Sequence, residues 1–89
     1  VGRREATANG VVIDLTGTEL TLLEVLARKV GTPVPKDEIY QKVLGRAMQR
    51  YDRAIDVHVS SIRHKLAAVL GKSVAIESIR GVGYQFVVR

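Results

Sequence analysis

The stretch from Asp52 to Leu70, DRAIDVHVSSIRHKLAAVL, decides how the rest of the chain is read. Ile55, Val59, Ile62, Leu66 and Val69 step by four, three, four and three, the spacing of one apolar stripe along an amphipathic helix. With that stripe turned inward, Arg53, Val57, Ser60 and His64 fall on the opposite side, Ser61 lies beside them, and Arg63 and Lys65 stand on the flanks. Asp52 is placed to cap the first turn and Gly71 to end the last. The outer face gathers donors, cations and small side chains on one rod. A solvated face of an ordinary amphipathic helix fits the same description, so the neighbouring sequence has to discriminate.

Downstream, Val74 to Ile79, the turn Arg80-Gly81-Val82-Gly83 and Tyr84 to Val88 read as strand, glycine-rich turn and strand. Tyr84 and Phe86 alternate with Gln85 and are expected in the core rather than as a stacking platform for single strands. Arg80 beside glycines can project from the hairpin tip and suits a narrow minor groove; its plain alternative is a solvent-exposed turn arginine. Gly81-Val82-Gly83 is too short, and wrongly placed, for a nucleotide-binding loop, which follows a strand and opens a helix. A helix followed by such a hairpin is the end of a winged helix, and this favours a DNA-reading face over a merely solvated one. In a major groove, Val57 can meet a thymine methyl, Ser60, Ser61 or His64 can bond base edges, and flanking cations can meet phosphates.

Upstream, Thr16-Gly17-Thr18-Glu19 has the spacing of a capping box and predicts a helix start. Leu20, Leu23, Leu26, Ala27 and Val30 are its expected buried stripe, and Gly31 its terminator. Thr32-Pro33-Val34 reads as a short extended link, with Pro35 in the first turn of a second helix whose apolar side is Ile39, Val43 and Leu44, ending near Gly45. Residues 46–51 show no period and read as a loop. Before the first helix, Arg4 to Ala8, Asn9-Gly10 and Val11 to Leu15 predict a hairpin closed by a type I′ turn. The fold class expected is α+β: N-terminal antiparallel strands, three helices with a helix-turn-helix, and a C-terminal β-hairpin wing, all in one domain over residues 1–89.

Composition narrows the chemistry. Fourteen Lys and Arg against nine Asp and Glu give a net charge of +5, which favours an anionic partner, nucleic acid or a lipid surface. The absence of cysteine excludes disulfides, thiolate zinc sites and cysteine nucleophiles, and fits a reduced, cytoplasmic setting. Two histidines, His58 and His64, without an acidic cluster beside them, are too few for a transition-metal site, and no cofactor is expected. No apolar run approaches the roughly 20 residues of a membrane span. No nucleophile with an adjacent base and no pair of carboxylates at useful spacing is visible, so an enzyme is not expected. Asp56 is assigned to pairing with a neighbouring arginine rather than to acid catalysis. His58, at the edge of the core stripe, is either a packed histidine or a phosphate contact.

Four segments together resemble one family. These are residues 15–23, LTGTELTLL; 52–59, DRAIDVHV; 62–66, IRHKL; and 79–84, IRGVGY. In this order they are similar to the successive signatures of the OmpR/PhoB response-regulator effector domain, and Val43 to Leu66 is similar to its CpxR-like branch. The resemblance implies a fragment of a longer protein, normally joined to an N-terminal receiver phosphorylated on aspartate, with the receiver and the first strand of the usual N-terminal sheet absent here. It implies head-to-tail dimers on direct repeats of double-stranded DNA, the third helix in the major groove, the wing in the minor groove, and the loop at 46–51 facing RNA polymerase. Position by position, it implies phosphate contacts for Arg53, His58 and Arg63, base-facing positions for Val57 and Ser61, and the wing arginine in Arg80. Ser60 and Ser61 stand where several relatives carry arginine, so base preference does not transfer. The other function weighed is a protein-interaction winged helix that uses the 46–51 loop.

Overall fold

The structure is a computed structural model that describes residues 6–8 and 10–88. Arg4, Glu5 and Asn9, part of the expected first hairpin and its turn, lie outside the described residues. Strands β1 (Ala6–Ala8) and β2 (Val11–Ile13) pair antiparallel with Ala8 opposite Val11. Gly10 between them has a φ of +78°, the left-handed conformation a tight hairpin turn requires.

Helix α1 (Gly17–Ala27) starts with the expected capping box: Thr16 Oγ1 accepts from the Glu19 N–H at 3.2 Å, and Glu19 Oε1 accepts from the Thr16 N–H at 3.0 Å. Its buried side differs from the expected stripe. Glu19, Leu20, Leu22 and Leu26 are buried and Leu23 is half-buried, whereas Ala27 is exposed. Val30, past the end of the helix, is 50% exposed. Glu19 is the physical reason: at 3% exposure it still finds partners, its Oε1 taking a 2.7 Å bond from the Lys65 ammonium of the third helix. A satisfied carboxylate can therefore occupy the inward face, and the buried side runs through 19, 20, 22 and 26. Burial alone would raise the Glu19 pKa; bonds from Lys65, Ser61 and Thr16 outweigh it and hold the carboxyl at about 2.

The expected link at 32–34 contains a strand. β3 (Val34–Pro35) pairs antiparallel with β5 (Gly83–Val88), Val34 opposite Tyr84 and Pro35 opposite Gly83. β4 (Val74–Ile79) pairs with the other edge of β5, giving the order β3-β5-β4. Proline is tolerated on such an edge because it lacks only a donor the ladder does not need there. Pro35 consequently precedes the second helix as its N-cap rather than entering its first turn.

Helix α2 (Lys36–Ile39) passes directly into a π-helical turn (Tyr40–Leu44), which Gly45 closes at a φ of +69°. Helix α3 (Ala54–Leu70) buries Ile55, Val59, Ile62 and Leu66 as expected, with Val69 half-buried and Gly71 at its end. The core joins α1, the π-helical turn, α3 and the β3-β5-β4 sheet: Leu22, Leu26, Val34, Ile39, Tyr40, Ile55, Val59 and Ile62 are fully enclosed. Tyr40 was not among the expected core residues.

Two consequences can be measured. Glu19 titrates near 2 when folded and near its ordinary 4.5 when unfolded, so its stabilisation is complete above pH 4.5 and is lost as pH falls toward 2. Thermal melts of Glu19→Gln should show lower stability at neutral pH and a shallower acid slope than the parent; parallel slopes would contradict the assignment. At Gly83 an added Cβ would lie 2.1 Å from the Val34 carbonyl oxygen and 2.9 Å from the Lys36 nitrogen, both backbone. Gly83→Ala should therefore destabilise by about 3 kcal/mol, seen as a lowered urea midpoint, and an unchanged midpoint would show that β3 yields freely.

Candidate nucleic-acid interface

Helix α3 needs partners for the N–H groups of its first turn, which no intrahelical carbonyl can satisfy. Asp52 supplies one, its Oδ1 accepting from Ala54 N–H at 3.1 Å, although the N-cap position itself is Arg53. The buried Tyr40 hydroxyl supplies another, accepting from Ile55 N–H at 3.4 Å while donating to the Asp52 carbonyl at 3.2 Å. Asp52 Oδ2 also accepts from the Gln49 N–H and from Arg46 Nη1, whose guanidinium lies 5.6 Å from the Tyr40 ring. Hydrogen bonds from Arg46 and then from Ala54 hold the Asp52 carboxyl well below the usual carboxylate range. The loop at 46–51 is thus tied down at its base, and at its tip Tyr51 is 85% exposed with a φ of +59°. Arg50 stacks on the Tyr51 ring at 5.1 Å.

The outer face of α3 is placed as the periodicity predicts. Arg53, Val57, Ser60 and His64 are exposed, Val57 at 63%. Ser61 and His58 are half-buried, and the Ser61 hydroxyl bonds toward Glu19. Arg63 is exposed but anchored: Nε donates to the Ile76 carbonyl at 2.8 Å and Nη2 to the Ser78 hydroxyl at 3.0 Å, both on β4. Lys65 departs from the expected phosphate-facing flank, because its ammonium is drawn to the nearly enclosed Glu19 carboxylate.

Asp56 is also partnered differently. In place of a neighbouring arginine, its Oδ1 accepts from the Tyr84 hydroxyl and faces the Lys36 ammonium at 3.3 Å. Burial would raise its pKa, but the Tyr84 bond and the Lys36 charge leave it lowered, with Arg53 adding a smaller pull. The Tyr84 phenol is pushed up to about 12, first by burial and then by the Asp56 carboxylate, so it remains a donor across the ordinary pH range. Lys36 was not singled out from the sequence. Asp56 signalled the need for a cation, but only the pairing of β3 with β5 brings one from 20 residues upstream.

Arg80 occupies the β4–β5 turn and is exposed. The wing and the start of α3 enclose a cleft of about 480 Å³ lined by Lys36, Arg53, Asp56 and residues 78–84. Arg53 from the helix and Arg80 from the wing thus share one concavity, where cations outnumber the single acid. Among the described residues no group of three or more His, Cys, Asp or Glu side chains could hold a metal ion. No described helix is long and apolar enough to cross a membrane.

Known proteins share this fold. The transcriptional regulatory protein CpxR of Escherichia coli strain K12 is 42% identical over 86 residues, covering 97% of this chain, which spans 37% of that protein. The crystal structure of the DNA-binding domain of E. coli CpxR superposes with a TM-score of 0.86 at 39% identity, covering 94% of this chain and 82% of the other. The Klebsiella pneumoniae RstA DNA-binding domain, crystallised in complex with the RstA box, superposes with a TM-score of 0.82 at 26% identity, covering 94% of this chain and 83% of the other. Residues 10–86 match the family described as transcriptional regulatory protein, C terminal, and with its three helices and β-hairpin wing the chain belongs to that family of OmpR/PhoB-type effector domains.

Proposed function

We propose that the chain binds double-stranded DNA sequence-specifically, as the effector domain of a two-component response regulator that controls transcription, with no catalysis of its own. The observation that carries this reading is the shared cleft: Arg53 and Arg80, from helix and wing, line one cationic concavity beside the exposed Val57, Ser60 and His64. The third helix enters the major groove, where Val57, Ser60, Ser61 and His64 meet base edges, while Arg53, His58 and Arg63 meet phosphates. Arg80 enters the minor groove. Lys65 braces the helix through Glu19. In the whole regulator an N-terminal receiver precedes this domain, the protein works in the cytoplasm, and two copies bind head to tail on direct repeats.

Titrating a promoter duplex at several salt concentrations tests this directly. Affinity should fall steeply with salt as counterions are released, and Arg53→Ala or Arg80→Ala should each cost about 1–3 kcal/mol of binding. Equal affinity for random duplex would overturn sequence-specific binding.

A second role is favoured by Tyr51. An aromatic side chain 85% exposed, on a left-handed backbone and held by a loop braced at Asp52, is a preformed anchor for a protein partner. RNA polymerase is the partner proposed for this loop. Tyr51→Ala should leave duplex affinity unchanged and weaken capture of polymerase holoenzyme on promoter DNA; undiminished capture would remove the loop from this role.

A further inference from the structure

The two DNA-reading surfaces proposed above belong to different elements, Arg53 to the start of α3 and Arg80 to the β4–β5 turn. Apolar packing between such elements is not directional, and a small slide sacrifices only part of each shallow contact. Hydrogen bonds weaken steeply with angle, so polar ties are what hold the helix and the wing in one relative position.

Two such ties leave one side of α3, seven residues apart, or about 10 Å of helix rise. The first is Asp56, which accepts from the Tyr84 hydroxyl of β5 and faces Lys36 at 3.3 Å. The second is Arg63, which grips β4 at Ile76 and Ser78. Tyr84 links them: Lys36 lies 5.8 Å and Arg63 5.7 Å from its ring centre. Asp56 is moreover the one acid lining the cleft that Arg53 and Arg80 share. An acid beside a phosphate path repels the ligand, so its presence there calls for a task other than contact, and Lys36 offsets its charge.

We infer that Asp56 and Tyr84 are positioning residues for DNA recognition: their hydrogen bond, with Lys36 against it, sets the separation between the outer face of α3 and the wing tip. Arg53 and Arg80 then reach one duplex together without first paying to be brought into register. This rests on the DNA-binding reading, and the experiment separates the two.

The chain contains no cysteine, so spin labels at Val57→Cys and Val82→Cys, both exposed positions, report the helix-to-wing distance in the protein without DNA. The parent should give one narrow distance distribution. Tyr84→Phe, which keeps the ring and removes the hydroxyl, should broaden it. Asp56→Ala is the second variant and should broaden it likewise, while Asp56→Asn, which retains an acceptor oxygen, should keep it narrow. Circular dichroism verifies that each variant is folded. A Tyr84→Phe distribution superimposable on the parent would overturn the inference. With unlabelled protein, Tyr84→Phe should weaken specific duplex binding on the order of ten-fold, and adding Arg80→Ala should cost little more. Fully additive losses would show that the wing is placed without the tie, and would overturn the role. If Arg80→Ala in the otherwise unaltered chain loses no affinity while the distance still responds to Tyr84→Phe, the DNA-binding reading is what has failed, and the inferred role falls with it.

Discussion

Much of this molecule depends on how closely the β3 backbone is pressed against Gly83. No residue with a Cβ fits there while the Val34 carbonyl keeps its position. That contact sets Val34 opposite Tyr84 and Pro35 opposite Gly83, and the Lys36 N–H completes the seam by donating to the Val82 carbonyl at 3.0 Å. The chain between the first two helices thereby becomes part of the wing sheet. Lys36, the next residue, arrives beside Tyr84 and Asp56 because the register leaves it nowhere else to go. A one-residue slip would reverse which side of β3 faces the core, removing fully buried Val34 from the interior.

The start of α3 is built to a similar standard. Its unsatisfied N–H groups take partners from the loop, through Asp52, and from the π-helical turn, through Tyr40. π-Helical turns often occur at functional positions, and here the turn contributes the tyrosine whose hydroxyl joins two elements 15 residues apart. Three acids at or beside α3 are each matched by a cation: Glu19 by Lys65, Asp52 by Arg46 and Asp56 by Lys36. Among the described residues neither Arg53 nor Arg80 closes an ion pair, so the charge displayed at the cleft belongs to these two side chains.

The pattern of α1 shows why a sequence can name a helix correctly and still turn it wrongly. Leu20, Leu22, Leu23 and Leu26 admit more than one inward face, and treating Glu19 as solvated favours the stripe through Leu23, Ala27 and Val30. The observed helix rotates the other way because Lys65, 46 residues on, meets the Glu19 carboxylate. Tyr40 escaped notice for a related reason. A tyrosine followed by Gln41 and Lys42 signals a core position only once an acceptor and a donor for its hydroxyl are known.

What the sequence determined by itself was whatever repeats over short separations: the capping box at 16–19, the inward stripe and outer face of α3, and the two long strands of the wing. These are local because a helix or hairpin writes its period into neighbouring residues. Tertiary structure alone decided β3, which at two residues is too short to show a period, and the long-range partners of Glu19, Asp56 and Arg63. Each of those side chains is answered from at least 13 residues away. Which of several available partners a buried charge takes is settled by packing, because solvation and hydrogen-bond geometry depend on where the backbone has already been brought.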